Sequence, residues 1–239
     1  MNVIFLDIDG VLNSFRNILA FGRFPFPEVT EDVPGHGMGP ESELDALAIG
    51  MIRKLCDLTG AKIVLHSMWR KHMDVQKFGE RHKLPVIDAT ARNLPKHLGI
   101  FDWLRQHKEV GIFAIIDDDP ILSVQFHPAD DEQAALWLQM HDSFIQTNME
   151  HGFTFLNFVN TFLVFSDIDI DEIREKNKRL KELRKFDLQH AAGTLIGGID
   201  ERTKEERDSN TREMNMLTEE LSDIGVWSVL IMLDSMENQ

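Results

Sequence analysis

The chain has 239 residues, 43% of them hydrophobic, and a formal net charge of −15. That length and apolar content fit one ordinary domain, or one with an appendage, and exclude wholesale disorder. The charge repels nucleic acid and anionic membranes at long range, no apolar run is long enough to span a membrane, and a lone Cys56 excludes an internal disulfide framework.

Residues 2–7 read as a buried strand, because Val3-Ile4-Phe5-Leu6 is apolar with β-branched and aromatic members. The strand stops at Asp7-Ile8-Asp9-Gly10. Ionised groups at the end of an apolar strand are costly to desolvate unless a cation compensates, and hard divalent cations prefer carboxylate oxygens. On an extended chain, positions i and i+2 point the same way, so Asp7 and Asp9 can address one centre. Gly10 permits a sharp turn and close backbone approach to an anion.

From about 14 to 40 the text is rich in Gly and Pro and predicts a long loop, with room for a short helix or hairpin. Residues 41–59 carry Leu44, Leu47, Ala48, Met51, Ile52 and Leu55 at helical spacing, and Gly60 is a natural stop. Ala61 to Leu65 reads as a second buried strand, ending in His66-Ser67-Met68-Trp69-Arg70. A helix over 71–82, a short extended piece at 85–88 and a helix over 96–106 follow. Gly111 to Ile116 is a third strong strand, stopped by Asp117-Asp118-Asp119-Pro120. Phe144 to Thr147 reads as a short strand and 153–165 as an apolar helix.

This alternation predicts an α/β fold: a doubly wound, Rossmann-like parallel sheet with helices on both faces. The core is expected to span 1–165, with a helical C-terminal extension over 166–239. In that extension 167–188 reads as a solvated amphipathic helix, 191–198 as a break, and 201–236 as a second helical stretch. Its apolar end, from Ile224 to Leu233, predicts a helical hairpin or a homodimer interface.

Three strands thus end in polar chemistry, at Asp7/Asp9, Ser67 and Asp117/Asp118. Ligands of open parallel sheets lie outside the carboxyl ends of the strands, so these groups belong to one site. The joint pattern Phe5-Leu-Asp-Ile-Asp-Gly-Val-Leu-Asn13, Ser67-Met-Trp-Arg70 and Ile116-Asp-Asp-Asp119 resembles the haloacid dehalogenase (HAD) superfamily of phosphohydrolases. Within it, the sequence is most similar to the subgroup of small phosphatase domains associated with RNA-repair proteins, over roughly 2–160. Position 66, His here, is often Ser in that subgroup.

The resemblance implies a Mg²⁺-dependent phosphomonoesterase that works through an aspartyl-phosphate. Asp7 would be the nucleophile and Asp9 the general acid and base. Mg²⁺ would be held by Asp7, the Asp9 carbonyl, Asp117 and Asp118, with Asp119 left to the turn. Ser67 and N–H groups near Gly10 would bind phosphate, with Arg70 and Lys71 adding positive charge. The cation of the third motif would be Lys96, with Arg92 as the alternative. His66 is read either as a satisfied strand-end histidine or as a phosphate contact, and His36 as a loop residue within reach of the site.

A minimal cap is expected, and with it access for a nucleotide or other small phosphomonoester. The net charge weighs against a polynucleotide end, the alternative substrate. A cytoplasmic protein without a secretory leader is expected. Two other classes compete. Glu220-Leu-Ser-Asp223, paired with Glu172/Glu175 or Glu205/Asp208, resembles the acidic elements of MazG-like all-α NTP pyrophosphohydrolases. A non-catalytic binding or assembly protein on a HAD scaffold is the other, disfavoured by the complete set of carboxylates.

Overall fold

The structure is a computed structural model and describes residues 1–22, 25–26, 39–40, 43–195 and 203–237. The chain divides into two compact units, Met1–Ser166 and Asp167–Gln239.

The first unit is built on β1 (Asn2–Leu6), β4 (Lys62–Leu65), β5 (Val86–Ala89), β6 (Ile112–Asp117) and β7 (Phe144–Gln146). All pair in parallel, in the order β5-β4-β1-β6-β7. The chain winds outward from β1 through β4 to β5, then returns to β6 on the other side of β1. The order therefore reverses between β1 and β6, which is where an open α/β sheet leaves a crevice. The register sets Leu6 beside both Leu65 and Ile116. The residues that follow, Asp7, His66 and Asp117, therefore emerge side by side.

Strand alternation sorts the core into two layers. Val3, Phe5, Val64, Phe113 and Ile115 face α4 (Lys96–Gln106) and α5 (Asp131–Asp142), packing on Ile100, Trp103, Leu104 and Met140. The alternate residues Ile4, Leu6, Ile63, Leu65, Ala114 and Ile116 are fully buried as well. Also in this unit, α2 (Ala46–Thr59) packs on α6 (Phe155–Phe165), α6 on β6, and α3 (Val75–His82) on β5. Two-sided burial is why these strands are apolar throughout.

Several elements differ from expectation. The 43–59 stretch becomes helical only at Ala46, because the Asp45 carboxylate caps the N–H groups of Leu47 and Ala48. The expected helix over 71–82 is a 3₁₀ turn, Met68–Lys71, followed by α3, whose N-cap is Asp74. Helix α5 went unread in the sequence: among its residues only Met140 is fully buried, so its apolar stripe is faint. In the Gly/Pro-rich insertion, α1 (Phe15–Phe21) is capped by Ser14, and β2 (Pro25–Phe26) pairs with β3 (Gly39–Pro40) in parallel, which rules out a hairpin between them. His36 lies outside the described residues.

The second unit holds α7 (Ile170–Leu195), α8 (Lys204–Leu221) and α9 (Ile224–Glu237). The break expected over 191–198 falls at the end of α7, which reaches Leu195, the remaining residues of that stretch lying outside the described ones, and the second helical stretch divides where Asp223 caps the N–H groups of Gly225 and Val226. The apolar run of α9 was expected to meet a second copy or a partner helix. It packs on α7 within the unit, burying Val229, Leu230, Met232 and Leu233, while Trp227 stays exposed. Among the described residues no helix is long and apolar enough to cross a membrane.

Candidate active site

The site forms at the carboxyl ends of β1, β4 and β6. Asp7 continues β1 in register, its N–H donating to Ile116 O at 3.0 Å, and its carboxylate is buried. One oxygen accepts the Ile8 N–H at 2.8 Å; the other meets Lys96 Nζ. Burial alone would raise the Asp7 pKa, but the charge and hydrogen bond of Lys96 outweigh it and hold the carboxyl below its ordinary value. A buried carboxylate held in its ionised form beside an ammonium is suited to nucleophilic attack.

Lys96 opens α4 and reaches across three carboxylates. Besides Asp7, its Nζ lies 3.0 Å from Asp117 Oδ1 and 3.4 Å from Asp119 Oδ2. Burial works against its charge, yet Asp7 and Asp117 more than compensate, so its pKa stands above that of a free lysine. The alternative cation, Arg92, makes no ion pair with these acids among the described residues. Asp119, read only as a turn residue, joins the site through Lys96 and gives its N–H to Asp117 Oδ1 at 2.9 Å.

Asp7, Asp117 and Asp118 each offer an oxygen within 4.8 Å of the others. Burial, together with the Asp7 charge, pushes Asp117 up to about 8; burial and the charges of Asp119 and Asp7 push Asp118 up to about 6. Asp117 Oδ2 is buried without a hydrogen-bond partner. Three clustered carboxylates, one with an orphaned oxygen, are the donor set a hard divalent cation requires. These residues fit Mg²⁺.

Gly10 earns its place by a route other than the one expected. Its φ is +68°, and a Cβ there would stand 2.2 Å from Asp118 Cγ. Only glycine lets Asp118 approach. Its N–H is not available to phosphate, because it donates to Asn13 Oδ1 at 3.1 Å. Its carbonyl accepts the hydroxyl of Thr147, the residue after β7, at 2.8 Å, a strut that the sequence did not reveal.

Ser67 is buried at the end of β4, where its Oγ accepts the Trp69 N–H at 3.3 Å and its hydroxyl contributes to the depressed pKa of Asp7. Arg70 departs from expectation. Its side chain is fully buried and donates to five main-chain carbonyls: Thr90, His66, Ser67, Ala91 and Leu94. A guanidinium has five N–H groups, so none remains for a substrate. Arg70 ties the Ser67 loop to the 90–94 loop that leads into Lys96. His66 is likewise internal: burial lowers it to about 4, Nε2 sits 3.2 Å from Ile116 O, and Nδ1 lies 3.5 Å from Asp117 Oδ2.

The Asp9 carboxylate lies apart from the three-carboxylate cluster and is gripped by Asn13 and Trp69. Both belong to the quoted motifs, Asn13 four residues after Asp9 and Trp69 two after Ser67, but their roles appear only in three dimensions. Burial raises the Asp9 pKa above the ordinary carboxyl value.

The tail carboxylates make no comparable site. Lys176 Nζ stands between Glu172 and Glu220, at 2.6 and 3.0 Å, and Asp223 caps α9. Among the described residues, only Asp7, Asp117 and Asp118 form a group of three able to hold a metal.

Residues 3–157 match the model of a family described as the HAD domain in Swiss Army Knife RNA repair proteins. No curated protein and no solved structure matches the chain. With the match covering more than half the sequence, and the parallel sheet ending in its acidic cluster, the chain belongs to this family of HAD domains.

Proposed function

We propose that the first unit is a Mg²⁺-dependent phosphomonoesterase acting through an aspartyl-phosphate. The observation that carries the reading is the buried Asp7 carboxylate, kept ionised by Lys96 and set within 4.8 Å of the Asp117 and Asp118 oxygens.

An Asp7 oxygen attacks phosphorus as the bond to the ester oxygen breaks. Asp9 donates its proton to that departing oxygen, so the alcohol leaves neutral. Asp9, now ionised, takes a proton from a water that attacks the aspartyl-phosphate, releasing inorganic phosphate and restoring both carboxyls. Lys96 holds Asp7 oriented and offsets negative charge as the phosphoryl group transfers. Asp7, Asp117 and Asp118, with the Asp9 carbonyl, would hold the Mg²⁺, which supplies neutralising charge for the phosphoryl oxygens.

The substrate class proposed is a phosphomonoester on a nucleotide or on a nucleic-acid end. The family's association with RNA repair favours the end; the net charge of −15 favours a short ligand over a long polynucleotide. Purified protein with Mg²⁺ should release phosphate from an aryl phosphate, and Asp7→Asn should abolish release while leaving the circular-dichroism spectrum unchanged. Full activity in Asp7→Asn would refute the mechanism, and an inert wild type would point to the binding-protein alternative. Comparing mononucleotides with 3′- and 5′-phosphorylated oligonucleotides decides between the substrates.

A further inference from the structure

We propose that Trp69 is a positioning residue for the acid Asp9, and that the grip it forms with Asn13 directs the transferable proton to Asp9 Oδ2, fitting the site to esters whose leaving oxygen is a poor, alkoxide-type group. The inference rests on the aspartyl-phosphate reading above and adds to it the device that aims the acid.

The geometry is specific. Trp69 Nε1 lies 3.1 Å from Asp9 Oδ1 and 3.0 Å from Oδ2, so one N–H straddles the carboxylate edge. Asn13 Nδ2 donates to Oδ1 at 2.7 Å. The orientation of that amide follows from its other end, since Asn13 Oδ1 accepts the Gly10 N–H at 3.1 Å. Asn13 itself is fully buried and Trp69 is 2% exposed, so neither donor swings away easily. The Trp69 backbone is also pinned, with its N–H on Ser67 Oγ.

An indole N–H and an amide N–H can only donate. Oδ1 therefore receives the Asn13 N–H and a share of the Trp69 N–H and is the poorer seat for a proton, whereas Oδ2 receives only the other share. When Asp9 is neutral its O–H resides on Oδ2, and the rotation that would exchange the two oxygens is blocked by the same two contacts. A carboxylic acid free to rotate would present its proton to the leaving oxygen only part of the time. Here that orientation is set before substrate arrives, which is the form of pre-organisation that lowers a proton-transfer barrier.

The benefit depends on the leaving group. In the first step the P–O bond breaks, its electron pair goes to the ester oxygen, and the Asp9 proton moves there. A nitrophenolate departs without much help, because its own acidity stabilises the negative charge. An alkoxide, such as the sugar oxygen of a nucleotide, cannot leave unprotonated. A positioned acid is thus wasted on activated aryl esters and needed for alkyl esters.

The test is the leaving-group dependence of kcat/KM in Trp69→Phe, with Mg²⁺ present. The variant should lose about 100-fold on an alkyl phosphate, the scale of general-acid catalysis, and only a few-fold on 4-nitrophenyl phosphate. Across a series of aryl phosphates its rate should fall more steeply with leaving-group pKa than that of the wild type. In an Asp9→Asn background, Trp69→Phe should change neither substrate further. Equal losses on all esters, or the same loss with Asp9 already replaced, would overturn the proposal. If phenylalanine destabilises the fold, benzothienylalanine at position 69 keeps the ring shape, removes the N–H and should give the same selective loss. An inactive wild type would instead refute the phosphatase reading, so the two failures are distinguishable.

Discussion

Replacing Arg70 with lysine should cost stability and disturb the site without touching any reacting group. The guanidinium supplies five hydrogen bonds to carbonyls in two loops, from Nε at 3.1 Å to Thr90 O through Nη1 at 2.6 and 2.7 Å to His66 O and Ser67 O. Nη2 completes the set at 3.1 and 3.3 Å to Ala91 O and Leu94 O. Lysine has three N–H donors on one compact nitrogen and cannot reproduce a planar fork. At least two bonds are lost, in a place where an unpaired carbonyl finds little water. At about 1–2 kcal/mol for each, the change amounts to about 2–4 kcal/mol, a large part of the roughly 5–15 kcal/mol by which domains are stable. Urea unfolding followed by tryptophan fluorescence is a suitable assay, because Trp69, Trp103 and Trp137 all lie in the first unit. Since the 90–94 loop leads directly into Lys96, kcat for phosphate release should fall alongside. An Arg70→Lys variant within about 0.5 kcal/mol of wild type, with unchanged release, would show that the tie between the loops does not matter.

Lys96→Met should lower kcat about 100-fold or more with Mg²⁺ saturating, by analogy with the loss of a charge-stabilising donor; a loss confined to KM would contradict the role given to Lys96. Gly10→Ala introduces a Cβ 2.2 Å from Asp118 Cγ at a left-handed position, so Asp118 must move; Mg²⁺ affinity measured by calorimetry should weaken about ten-fold or more. The pH dependence of metal binding follows from the raised carboxyls. Burial first, then neighbouring charge, places Asp117 at about 8 and Asp118 at about 6, both above the ordinary value, so in the metal-free protein each stabilises the fold while protonated. Their contribution is complete below about pH 4 and is lost as pH rises through 6 and then 8. A divalent cation replaces those protons, so Mg²⁺ should raise Tm more at pH 8 than at pH 6, and calorimetry in buffers of different ionisation enthalpy should detect proton release. Equal Tm shifts at the two pH values would refute the assignment of these ligands.

The fold was largely legible because its signals are local. Apolar strands that stop at charged residues, the glycine at 60 that ends a helix, and the alternation of strand and helix patterns point to a parallel sheet. Helix α5 escaped because its stripe is faint, and α7 reaches Leu195, inside the stretch 191–198 where a break was expected, because Ala191 and Ala192 favour helix. The basic character of Arg70 suggested a substrate contact; that its charge is spent on main-chain carbonyls depends on the fold of two loops about twenty residues apart.

By itself the sequence determined that Asp7, Asp117 and Asp118 share one edge, since strand ends in a parallel sheet lie side by side, but not that the Asp9 carboxylate stands apart from them or that Asp119 joins through Lys96. Only the tertiary structure decided which cation answers them, that Asn13 Oδ1 takes the Gly10 N–H, and that Trp69, sixty residues away, grips Asp9. The reason is physical: burial and backbone pattern are written in short stretches of chain, whereas the direction of a hydrogen bond depends on groups that meet only after the sheet has closed.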